Sequence, residues 1–86
     1  MLEFISLQEI GRIPMGIDGT DVYMLLRTQE PVSVQKLRDF FDSQYRTDSR
    51  YPGDSFCAGC TVMPKPYFND EFVVIIHNRY ASVDHA

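Results

Sequence analysis

Eighty-six residues and 9.9 kDa are the size of one hydrophobic core, because a chain this short does not divide into two stable units. A composition 44% hydrophobic, 13% aromatic and 23% charged excludes disordered, collagen-like and coiled-coil chains. Eight Lys and Arg against twelve Asp and Glu, for a net charge of -4, argue against a protein held on phosphate backbones by basic side chains.

The opening Met-Leu-Glu-Phe-Ile-Ser has an acid where an export signal needs bases, and no apolar stretch of signal length follows it. The longest aliphatic and aromatic run, Phe72 to Ile76, falls far short of a membrane-spanning helix. Two cysteines are too few for a disulfide framework that replaces a core, so a reducing cytoplasm is the expected location.

In chain order, Phe4 to Ile13 carries Ile5, Leu7, Ile10 and Ile13 without a helical period, and nearby Gly11 and Pro14 suit an irregular or edge strand. Asp18-Gly19 accepts the positive dihedrals of a tight turn, which predicts an antiparallel hairpin with Val22 to Leu26. From Ser33 onward Val34, Leu37, Phe40, Phe41 and Tyr45 recur at helical spacing, with charged residues between them. This predicts an amphipathic helix of about 13 residues. Ser33 serves as its N-cap, although Lys36 stands where a capping box needs an acid. Thr47 to Ser55 is dense in turn residues and predicts an ordered loop. Phe56 to Met63 and Glu71 to Tyr80 read as strands, joined by Pro64 to Asp70, where two prolines keep the connection out of the ladder. Residues 81–86 are expected to fray.

The order strand, strand, helix, strand, strand is an α+β layout, one helix on a mostly antiparallel sheet. Four strands make a sheet roughly 19 Å wide, and a helix with its side chains covers about 10 to 12 Å. Phe72, Val74 and Ile76 face one way while Val73 and Ile75 face the other, so the last strand is apolar on both sides. Something must cover the second face: the N-terminal segment, the long loop, a second copy or a docked partner.

Cys57-Ala58-Gly59-Cys60 is the sharpest local motif. Its thiolates can grip zinc, with His77 and His85 as the available histidines and Asp54 or Asp84 as substitutes, but the spacing departs from the finger pattern. A redox dithiol would sit at a helix start, whereas Thr61 to Pro64 reads as extended. The plainer reading is a strand start in which Gly59 makes a bend or bulge. For His77 as a general base the sequence identifies no nucleophile beside it. Asp39 and Asp42 read as part of a solvated helix face. The glycines match no phosphate loop. Tyr45, Tyr51, Tyr67 and Tyr80 lie near Arg46, Arg50, Lys65 and Arg79, but the net charge makes nucleic acid an improbable ligand.

Tyr and Arg are also the residues of protein-binding hot spots, and Arg46, Arg50, Tyr51, Tyr67 and Phe68 are the candidate contact residues. The expected function is therefore surface recognition: a small, non-enzymatic, cytoplasmic inhibitor or regulator of a larger protein, of the kind mobile elements direct against host defence, with self-association as a homodimer. The alternative is a zinc module centred on Cys57 and Cys60.

Overall fold

A computed structural model of the chain describes residues 3–47, 51 and 53–81. The elements are β1 (Phe4–Pro14), β2 (Gly19–Thr28), α1 (Val34–Tyr45), β3 (Ser55–Pro64) and β4 (Glu71–Tyr80). All strand pairs are antiparallel, in the order β1-β2-β4-β3. The expected α+β architecture is present, and both hairpins form. The pairing that joins them, β2 with β4 in the centre of the sheet, is long-range, and no local signal announces it.

β1 is an edge strand, and its ladder slips between Phe4 and Ser6 and again between Glu9 and Gly11. Its hairpin closes differently from the sequence expectation. The residue with positive φ is Gly16, at 67°, and Met15 N–H donates to the Gly19 carbonyl across the turn. Gly19 is already in β2 and paired with Arg79. Glycine is needed there for space: a Cβ would strike the Asn78 carbonyl and the Arg79 backbone.

Ser33 caps α1 as predicted, its hydroxyl accepting from Lys36 N–H at 3.2 Å. This satisfies one of the orphan donors of the first turn. At the other end Arg46 leaves the helix with its N–H still bonded to Asp42. Thr47 N–H then donates to the Cys57 carbonyl, and the Thr47 hydroxyl accepts from Cys57 N–H. These two bonds bring the chain to the outer edge of β3 and occupy part of that edge.

The core lies between α1 and one sheet face. Val22 and Leu26 of β2, Phe72, Val74 and Ile76 of β4, and Val62 of β3 meet Leu37 and Phe41 of the helix. Phe41, Leu26, Leu37 and Val74 are fully buried, each contributing roughly 1.5–3 kcal/mol by leaving water. Phe4 extends this packing from β1: it stacks on Phe41 and meets Phe40 edge-on, with ring centres 5.9 and 5.3 Å apart.

Neither internal segment proposed to cover the second face does so among the described residues. The N-terminal segment is a strand in the sheet. Of the long loop, Thr47 lies at the edge of β3, while Gly53 and Asp54 exchange hydrogen bonds with Ala81 beyond the end of β4. Ala81 is thus tied down, and the rest of the expected frayed tail lies outside the described residues.

Candidate recognition surfaces

Helix and sheet differ in length, and the difference leaves a recess. Twelve helical residues span about 18 Å, whereas strands of ten run about 33 Å. Past the helix C-terminus the core-side face is open as a groove of about 560 Å³, within the size range of ligand and side-chain pockets. Val22, Met24, Ile76 and Cys57 supply apolar lining, and Tyr45 and Tyr80 also line it. Tyr45 stacks on Phe41 with ring centres 5.7 Å apart yet is 40% exposed, and Tyr80 is 53% exposed. Tyr45 therefore offers a partly fixed ring with a free edge, the form in which tyrosine serves best as a binding anchor, and Tyr80 adds a second exposed ring.

The β1 wall of the groove is Glu9 and Arg12, joined by two bonds of 2.8 Å. These hydrogen bonds hold the Glu9 carboxyl below its ordinary pKa. Residues three apart in a regular strand face opposite ways. The bulge at Ile10 turns both to the helix side, where Glu9 pairs with Met24 and Arg12 with Val22. The sequence reading missed this pair, and only Gly11 hinted at an irregularity.

The predicted contact residues separate into two groups. Tyr51, 72% exposed, and Arg46 lie at the groove end of the molecule, while Arg50 falls outside the described residues. Tyr67 and Phe68 occupy the β3–β4 turn at the opposite end. Tyr67 is fully exposed with φ 69°, and Lys65 places its ammonium 5.9 Å from the Phe68 ring centre. Because β3 runs its whole length between the groups, about 30 Å, they do not form one patch. The hairpin tip adds exposed Met15 and Ile17 near the groove.

A register slip between Cys57 and Cys60, with Gly59 at φ 134°, is the bulge expected of Gly59. It turns both cysteines toward the helix, opposite Asn78 and Ile76. Both are free thiols. Burial, with Asp42 at 3.5 Å adding its charge, pushes the Cys60 thiol up to about 11, the wrong direction for a redox nucleophile. His77 cannot join them in a zinc site, because it pairs with Asp21 on the other sheet face. His85 lies outside the described residues. Among the described residues no three His, Cys, Asp or Glu side chains gather as metal ligands.

On that second face His77 has partners the sequence did not reveal. Nδ1 is 3.0 Å from Asp21 Oδ1 and Nε2 is 2.8 Å from Thr61 Oγ1. Arg79 donates to the same Asp21 oxygen at 2.8 Å. Burial alone would raise the Asp21 carboxyl, but hydrogen bonds from His77 and Arg79 outweigh it and hold the pKa below the ordinary value. The imidazole is satisfied whether neutral or charged, since the threonine hydroxyl can donate or accept. Thr, His and Asp stand in the order of a hydrolytic triad. On a flat sheet, however, the backbone N–H groups lie in the plane of the ladder, so none there aims at an oxyanion. The network ties β2, β3 and β4 together.

No helix among the described residues is long and apolar enough to cross a membrane. Compared with known proteins, the chain matches no family model, no curated sequence and no solved structure.

Proposed function

We propose that this chain is a protein-recognition module, an accessory inhibitor or regulator that acts by occupying part of a larger protein's surface. The observation that carries this reading is the open groove of mixed polar and apolar lining left where α1 stops short of the sheet, with Tyr45 and Tyr80 among its lining. It accepts one or two apolar or aromatic side chains from a partner, while Arg46, Tyr51, Met15 and Ile17 widen the contact around it. Exposed tyrosines beside an open recess are the kind of side chain on which hot spots are built. Use against host defence by a mobile element is the sharpest form of the proposal, and small size supports it.

The test places a photo-crosslinking residue at Tyr80, and in a parallel variant at Tyr67, in the chain's native cell or host. The expected result is one discrete protein captured from Tyr80 and not from Tyr67. With that protein purified, Tyr80→Ala should weaken binding by about 1 kcal/mol or more. Equal, background-level capture from both positions, or an affinity unaffected by Tyr80→Ala, removes the groove from the proposal.

A further inference from the structure

The second sheet face presents Asp21, Tyr23, Leu25 and Arg27 of β2 beside Glu71, Val73, Ile75, His77 and Arg79 of β4. Thr61 and Met63 of β3 flank them, opposite Ile75 and Val73. No described element lies over this face. We propose that a second copy of this chain covers it, the two sheets packing face to face about a twofold axis that runs between them, parallel to their planes.

The choice of occupant rests on where the charges sit. At one end of the face Arg27 stands on β2 beside Glu71 on β4, 3.6 Å apart. At the other end the signs are exchanged: Asp21 is on β2 and Arg79 on β4, 2.8 Å apart. The four corners form a checkerboard around an apolar centre of half-buried Tyr23, Leu25 and Val73 and buried Ile75. A checkerboard is complementary to itself under either such twofold. Turned end over end, Arg27 of one copy faces Asp21 of the other, and Glu71 faces Arg79. Turned about the strand direction, Arg27 faces Glu71 and Asp21 faces Arg79. Every corner meets the opposite sign both ways, which is the condition an isologous contact must meet.

The whole chain carries a net charge of -4, yet these corners are balanced two against two. The acidic excess that would drive two copies apart is therefore kept off this face. Asp21 is only 8% exposed, and the bonds from His77 and Arg79 both fall on Oδ1, so its charge acts on a facing guanidinium through space and not as a freely presented carboxylate. Arg27 is half exposed, and its 3.6 Å contact with Glu71 leaves the guanidinium accessible from across the face.

Area is adequate as well. A sheet about 19 Å by 33 Å presents on the order of 600 Å² in projection, comparable with the roughly 800 Å² per partner of a standard interface. Aligned sheets of this kind pack about 10 Å apart at roughly 30°. The groove lies on the opposite face, so this proposal does not depend on the function proposed above.

Sedimentation equilibrium of the full chain tests it. The expected result is a reversible dimer, with a dissociation constant raised about tenfold by Arg27→Glu. That variant sets like charges against each other about either axis. Adding Glu71→Arg rebuilds the pair within each chain, so the fold is kept, and moves the constant again. It returns toward the wild-type value if the axis follows the strands, and rises further if the axis crosses them. Tyr80→Ala leaves it unchanged. A chain that stays monomeric to about 1 mM, or a dimer indifferent to both charge variants while their thermal melts remain cooperative, overturns the proposal.

Discussion

Asp21 accepts two charge-assisted contacts that join β2 to β4 on the second sheet face. It is buried, accepts from His77 and Arg79, and has a pKa held below its ordinary value. A carboxyl whose folded pKa lies below the unfolded value of about 3.9 stabilises the fold above that value, and the contribution is lost as pH falls through the folded pKa. Asp21→Asn should therefore cost about 1–3 kcal/mol at neutral pH, because Arg79 is left beside a neutral group. The difference from wild type, measured by urea unfolding, should shrink as the pH is taken below about 4. A difference that persists unchanged into stronger acid would show that the loss comes from altered packing and not from the missing charge. His77 illustrates what one residue in isolation conceals. The sequence places it at the polar end of a strand but gives no reason to connect it with Asp21, far away in the chain, or with Thr61, diagonal to it on the neighbouring strand.

Among the elements, α1 was the most legible, because its period of apolar residues and its cap are both local. Ser33→Ala removes the hydroxyl that accepts from Lys36 N–H and should lower stability by about 1 kcal/mol. Ser33→Asp should restore most of it, as read from thermal melts; equal loss in both would mean that the side chain does not act as a cap. The strands were legible as segments, and β4 is apolar on both sides as its alternation indicated. Their faces were less so. Each bulge moves the alternation by one, so Glu9 and Arg12, like Cys57 and Cys60, share a side that period-two counting denies them. The turn between β1 and β2 was read from Asp18-Gly19, whereas the left-handed residue is Gly16 and Gly19 yields space to a neighbouring strand. Local propensity identified the hairpin, and a tertiary contact decided the role of its glycine.

For the whole molecule, width and length arithmetic proved the more useful guide. The helix is shorter than the strands, which leaves the groove past its C-terminus, and it lies on one face only, so no described element covers the other. What the arithmetic cannot supply is chemistry. The charge checkerboard needs the adjacency of β2 and β4, and the groove wall needs the β1 bulge. The predicted contacts Arg46, Tyr51, Tyr67 and Phe68 were grouped by residue type and proved to lie at two ends of the sheet.

The central β2–β4 ladder also divides the polypeptide into two parts that depend on one another. On one side of the connection after α1 stand the first hairpin and the helix, and on the other stands the second hairpin. A lone hairpin is marginal in water, and each part holds one half of the central seam. A backbone severed between α1 and β3 should yield two fragments that are unstructured apart, by far-ultraviolet circular dichroism, and that reassemble when mixed in equal amounts. If either fragment folds alone, the seam is not what makes the halves one cooperative unit. If they reconstitute, the chain is a natural split reporter whose halves meet along that ladder and across the core beneath α1.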